Sequence, residues 1–229
     1  MVFTSNREHG GYFSVYWRSA DGTGKEELLG SATGRSLLPW SFSSDGKTRV
    51  LDEMVGSEVF DIGVRSMDGD HTRKPLLQEK HTEVQPKISP DGQWMAYCSW
   101  ESGLREIYVR PFPEVDKRRW QVSTRGGDSP LWSPNGQELF YLNEGSVMAV
   151  AVEKAPNLSF GTPKTLFRGS YIGAGTFDGT PWDIHPDGKR FLMIKPPAPT
   201  GAAPTSTAQR KINIVLNWFE ELKQRAPVK

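Results

Sequence analysis

The sequence predicts an all-β protein assembled from repeated four-stranded antiparallel units, and three observations predict it. First, one tight turn recurs four times: Ser44-Asp45-Gly46-Lys47, Pro90-Asp91-Gly92-Gln93, Pro134-Asn135-Gly136-Gln137 and Pro186-Asp187-Gly188-Lys189. Asp-Gly or Asn-Gly between apolar segments is a strong hairpin signal, and Pro or Ser ahead of it suits the first corner. Second, the Asp/Asn positions lie 46, 44 and 52 residues apart, and periods of this size with several strands each are those of β-propeller blades. Third, 23 Gly, 17 Pro, 8 Trp, 6 Tyr and 11 Phe combine turn formers with the aromatics that fill pleated, half-buried surfaces.

The segments around each turn keep one order. Before it runs a short strand with core residues Trp40 and Phe42, Ile88, Leu131 and Trp132, or Trp182 and Ile184. A second strand follows it: Thr48–Glu53, Trp94–Ser99, Glu138–Leu142 and Arg190–Ile194. The third strands are Val59–Arg65, Glu106–Phe112 and Val147–Val152, and the more polar fourth strands are Arg73–Leu77, Arg119–Val122 and Lys164–Phe167. Blades are thus expected over residues 31–78, 79–123 and 124–168, with partial blades at 1–30 and 169–195. In the first partial blade, Met1–Ser5, Tyr12–Arg18 and Lys25–Leu29 read as second to fourth strands. Beyond the last, residues 196–210 are rich in Pro, Ala and Thr and read as a linker. Residues 211–229 then offer a β-type run, Ile212–Asn217, and a short amphipathic helix, Trp218–Arg225.

The turn and its surroundings resemble the TolB-type, WD40-like propellers. The nearer resemblance is to propeller regions at the C-terminus of bacterial serine/threonine kinases. It is carried by Glu106-Ile107-Tyr108-Val109-Arg110-Pro111-Phe112-Pro113, Gln121-Val122-Ser123, Gly126-Gly127 and Glu138-Leu139-Phe140-Tyr141. Arg190-Phe191-Leu192-Met193-Ile194 and Leu216-Asn217-Trp218-Phe219-Glu220-Glu221-Leu222 extend it to the end of the chain. The resemblance implies a ring of six or more blades, an interaction or sensing role in a larger signalling protein, and an extracytoplasmic setting. It further implies additional blades or domains upstream, because Met1 falls inside a strand of the pattern. The alternative is that the two end pieces share one blade and close a five-bladed ring. The kinase resemblance stops at the propeller: no Gly-rich nucleotide loop, catalytic loop or Asp-Phe-Gly is present, so no kinase activity is expected of these residues.

The bulk properties narrow the function classes. With 28 Lys+Arg against 27 Asp+Glu, no excess of positive charge argues for nucleic acid or an anionic membrane. No apolar run approaches the roughly 20 residues that span a bilayer, and Met1–Gly11 lacks the basic start and apolar stretch of a signal peptide. Cys98 is the sole cysteine, which excludes an intramolecular disulfide and a multi-thiolate zinc site.

No catalytic set, metal site or cofactor is expected. Gly30–Ser36 is one residue short of a phosphate-binding loop and carries Arg35 where Lys is needed. The Gly-x-Ser-x-Gly elbow of serine hydrolases is missing. His9, His71, His81 and His185 have no ligand spacing. His185 replaces the turn's Ser89 or Ser133 and is expected to make a turn hydrogen bond. Asp68-Gly69-Asp70 lacks the further oxygen ligands of a calcium loop. Asp45, Asp91, Asn135 and Asp187 fall in separate units and serve their own hairpins. Cys98 sits in an apolar strand as a buried small hydrophobe, and Trp40, Trp132 and Trp182 read as one recurring core position.

Binding is expected on the face formed by the loops joining second to third strands and blade to blade. That face groups Asn6, Arg7 and His9 with His81, Glu83, Trp100, Glu101, Arg105, Arg125, Asp128, Tyr171 and Asp178. Exposed aromatics beside mixed charge suit a protein or peptide partner, and the Gly-rich loop 169–180 would cover the channel mouth. The expected function is a non-catalytic interaction or ligand-sensing propeller. The alternatives are the accessory propeller of a prolyl-oligopeptidase-like peptidase or a TolB-like envelope component.

Overall fold

The computed structural model describes residues 1–7, 10–21, 23–56, 59–172, 179–196 and 213–214. They form five antiparallel sheets. The first holds β1 (Val2–Ser5), β2 (Ser14–Trp17) and β3 (Glu27–Gly30). The second holds β4 (Arg35–Phe42), β5 (Thr48–Val55), β6 (Val59–Ser66) and β7 (Arg73–Leu77). The third holds β8 (Glu83–Ile88), β9 (Trp94–Ser99), β10 (Glu106–Pro111) and β11 (Trp120–Gln121). In the fourth are β12 (Asp128–Trp132), β13 (Glu138–Asn143), β14 (Ser146–Glu153), β15 (Ser159–Phe160) and β16 (Lys164–Arg168). The fifth has β17 (Trp182–Ile184), β18 (Phe191–Met193) and β19 (Asn213–Ile214). Within every sheet, consecutive strands pair in chain order, save that β16 pairs β14. The expected closing helix and most of the expected linker lie outside the described residues.

Successive sheets pack face to face, and strand periodicity explains how. In β9, Met95 and Tyr97 enter a core shared with Val50, Ile62 and Leu77 of the second sheet. The intervening Ala96 and Cys98 enter the core shared with Leu139, Tyr141 and Val150 of the fourth. In β13, Leu139 and Tyr141 serve that core, while Phe140 and Leu142 turn to Trp182, Phe191 and Met193 of the fifth sheet. Side chains alternate across a strand, so a sheet covered on both faces needs apolar residues at consecutive positions, which these strands have. Cys98 is fully buried, its thiol facing the Gly127 carbonyl at 3.5 Å, and burial raises its pKa well above the ordinary value.

The hairpin turns work as the sequence implies. Ser89 Oγ donates to Asp91 Oδ1 at 2.5 Å, which also accepts from Gln93 N, while Trp94 N donates to Ser89 Oγ. The same arrangement holds at Ser43/Asp45 and Ser133/Asn135. In the last copy His185 Nδ1 accepts from Asp187 N. Gly46, Gly92, Gly136 and Gly188 have φ between 65° and 72°, where glycine carries no steric penalty.

Two details differ from expectation. The outer edge of β14 is divided: Ser146–Ala149 pair with β16, but Val152 and Glu153 pair with the unexpected β15. The eight-residue β14 outruns its five-residue partner, and Phe160 anchors the added strand edge-on to Trp120. Trp132 does not share the position of Trp40 and Trp182. Counted back from each turn it stands two residues later, and Trp40 is half-buried where Trp132 and Trp182 are buried. Among the described residues, no strand of the first sheet pairs with the fifth.

The first strand of each complete unit is kinked. The ladder registers shift at Pro39/Ser41, Val84/Lys87 and Asp128/Leu131. Pro86 and Pro130 sit inside two of these shifts, as expected of a residue with no N–H to give. The preceding Gln85 and Ser129 take φ of 61° and 54°, so their N–H groups turn out of their own ladders. Each finds an acceptor on the preceding sheet. Gln85 N donates to both carboxyl oxygens of Asp52 at 3.1 Å, and Ser129 N donates to Gln85 Oε1 at 2.7 Å. Trp182 Nε1 continues the series to Ser129 O at 3.1 Å. All of these polar groups are buried. Replacing Gln85 by Ala strands the Ser129 N–H in the interior, and an unmet buried donor costs about 2 kcal/mol. The expected result is an unfolding free energy lowered by that amount, read as a lower urea midpoint with an unchanged slope.

Candidate functional site

The loop between β9 and β10 builds the centre of the expected binding face. Trp100 N donates to Thr82 O and Gly103 N returns to Trp100 O, so the loop folds over the entry to β8 and carries His81 with it. Gly103, at φ 85°, permits the reversal. The Arg105 guanidinium lies 4.6 Å from the Trp100 ring centre and 3.7 Å from the Asp128 carboxylate. Glu101 pairs with Arg119. Gly127 N donates to Arg105 O, and the neighbouring Arg125 is exposed, its carbonyl held by Asn143 Nδ2. Leu104, 59% exposed, completes the patch. Burial pushes the Asp128 carboxyl up, against the Ser129 hydroxyl and Arg105, which lower it.

The structure therefore brings together Trp100, Glu101, Arg105, Arg125 and Asp128, with His81 alongside. Arg7 is engaged within the first sheet, paired with Glu26 at 2.7 Å and stacked on Tyr16. Tyr171 stacks edge-on against Phe167 and beneath Lys195. His9 and Asp178 lie outside the described residues.

Glu83 corrects the expectation. It is 1% exposed and offers nothing to a partner. Because β8 is covered on both faces, its first residue points into the protein, where Ser99 Oγ donates to Oε1 at 3.2 Å and Oε2 has no hydrogen-bond partner among the described residues. Burial, with Glu79 and Asp61 nearby, pushes its pKa up to about 7.

A second cluster, at the inner strands, was not anticipated. Lys87 on β8 and Asp183 on β17 occupy the same place relative to their turns, two residues before Ser89 and His185. They flank a cavity of about 220 Å³ lined also by Thr180, Pro181, Trp182, Leu192 and Ile194. The Lys87 ammonium lies 5.7 Å from the Trp40 ring centre. Burial lowers its pKa, partly offset by Asp183 and Asp52 and reinforced by Arg49. Arg49 is 7% exposed, stacks on Phe42 at 4.2 Å, and leaves Nε and Nη1 without hydrogen bonds. Burial alone lowers its pKa to about 10. Asp52 is fully buried, its pKa raised well above the ordinary value by burial despite the Gln85 N–H. The signal available in the sequence was a charge at a position that holds Ser41 and Leu131 in the other copies. Among the described residues, no group of three His, Cys, Asp or Glu side chains is arranged to hold a metal ion, and no helix is long and apolar enough to cross a membrane.

The five stacked antiparallel sheets, three of them running outward from a kinked inner strand, are those of known propellers. TolB from Acinetobacter baumannii superposes with a TM-score of 0.61 at 16% identity, over 87% of this chain and 47% of that one. The fold is a β-propeller. A candidate TolB from Agrobacterium tumefaciens gives 0.56 at 20% identity, over 72% and 60%. A puromycin-hydrolysing peptidase of Mycobacterium tuberculosis gives 0.58 at 15%, over 84% and 34%. The chain thus spans less than two thirds of the length of each. It matches no family model and no curated protein.

The raised Glu83 pKa gives the propeller a pH-dependent stability. Between its ordinary value of 4.5 and about 7, the folded state keeps a proton that the unfolded chain has released, so stability falls as pH rises through that window. Measured by urea unfolding from pH 5 to pH 8, the wild type is expected to lose about 2 kcal/mol relative to Glu83→Gln, which has no proton to lose there.

Proposed function

We propose that this chain is a non-catalytic protein-interaction or ligand-sensing propeller, part of a larger bacterial signalling protein such as a serine/threonine kinase, acting on the extracytoplasmic side. The observation that supports this reading is the patch around Trp100. It places a half-buried aromatic, an arginine stacked on it, an exposed leucine and an exposed Arg125 on adjoining loops of two sheets. Trp and Arg are the residues that most often anchor protein interfaces, and ion pairs to Asp128 and Arg119 hold the surrounding charges in place. A peptide bearing a carboxylate and an aromatic or aliphatic anchor fits this chemistry.

A second reading, the accessory propeller of a serine peptidase, draws on the likeness to the puromycin-hydrolysing peptidase. A TolB-like component draws in the same way on the two TolB structures. The parent gene separates them: kinase motifs preceding the propeller support the first reading, and a following Gly-x-Ser-x-Gly domain supports the peptidase.

Selection of displayed peptides on the wild-type chain provides the binding test. Trp100→Ala and Arg125→Ala are each expected to weaken a selected peptide by roughly tenfold or more, about 1.4 kcal/mol. Thermal unfolding stays unchanged for the exposed Arg125→Ala and falls for Trp100→Ala, because Trp100 also packs on the core. Unchanged affinity in both variants would remove the patch as the partner surface.

A further inference from the structure

The cavity beside Lys87 is separate from the Trp100 patch and has a chemistry of its own. Its lining includes both an ammonium, Lys87, and a carboxylate, Asp183. The charges act on one another, yet neither forms an ion pair among the described residues. Asp183 is exposed, and Ile184 N donates to its Oδ1 at 2.8 Å, while Oδ2 takes no hydrogen bond among the described residues. Between them the wall is apolar. Leu192 and Ile194 are 39% and 45% exposed, although Phe191 and Met193 on the opposite face of β18 are buried against the fourth sheet. Pro181 and Trp182 extend that wall. At roughly 30 Å³ per water, about 220 Å³ holds about seven waters, the size of a small amino acid. Separated opposite charges beside exposed aliphatic side chains are complementary to a zwitterion with an aliphatic substituent.

We propose that this cavity binds a free aliphatic α-amino acid, its carboxylate on Lys87, its ammonium on Asp183 and its side chain on Leu192 and Ile194. Trp40 fixes the floor under Lys87 by cation–π contact, which orients the ammonium. The nearby Arg49 adds positive charge beside Lys87. A few convergent polar groups in a largely apolar cleft are the usual composition of a small-molecule site. This assignment is independent of the partner patch, and either can fail while the other stands.

The test is calorimetric titration of the wild-type chain with L-leucine, followed in parallel by the indole N–H resonances of Trp40 and Trp182. Saturable binding that shifts these resonances is expected. Lys87→Met and Asp183→Asn should each weaken it at least roughly tenfold, as should removal of one charge from the ligand, in 4-methylpentanoate or 3-methylbutylamine. Trp100→Ala should leave it unchanged. Absence of saturable binding overturns the proposal, as does equal affinity for 4-methylpentanoate, or affinity indifferent to both variants. If Lys87→Met fails to fold, the exposed Asp183→Asn decides alone.

Discussion

Two inner strands of this propeller, β8 and β12, contain a place where their own ladder cannot continue, and the preceding sheet completes it. Proline at Pro86 and Pro130 removes a donor, while the left-handed backbone at Gln85 and Ser129 swings another donor sideways. A buried N–H without an acceptor is costly, so neither kink is stable unless the preceding sheet stands in position with an oxygen. Asp52 and Gln85 supply those oxygens, and Trp182 extends the series to the fifth sheet. The sheets are therefore coupled by directional bonds near the inner strands as well as by apolar packing farther out. Apolar packing alone would tolerate sliding; the bonds fix the order and registration of the sheets.

The fold was legible in the sequence because its determinants are local. The Asx turns at Asp45, Asp91, Asn135 and Asp187 form within their own hairpins, and the apolar periodicity of β9 and β13 reports covering on both faces. The less legible features depend on what another sheet brings. Strand β15 forms because β14 is longer than β16 and Phe160 meets Trp120, a contact between segments 40 residues apart. Trp132 shares residue type but not register with Trp40 and Trp182, and the two-residue offset follows from counting back from each turn.

The site was readable in part for the same reason. Trp100, Glu101, Arg105, Arg125 and Asp128 lie on loops whose place follows from propeller topology, so their clustering could be anticipated. Glu83 could not be separated from them, since the loop ends and the covered strand begins at that very residue. The cavity beside Lys87 was hidden for a different reason. Its lining comes from non-adjacent sheets, Lys87 from the third and the other residues from the fifth and its flanks, so no single repeat contains it.

The single thiol offers a practical consequence. Cys98 lies between the third and fourth sheets, sealed by Leu139, Tyr141 and the Gly127 carbonyl. Deeply buried, it is unreactive as long as those sheets stay together. Any alkylating reagent that reaches it must wait for them to part, so its labelling rate in native buffer is a stopwatch on the separation of two blades. No tag, probe or engineered cysteine is needed, because the chain already carries one silent reporter at an internal seam.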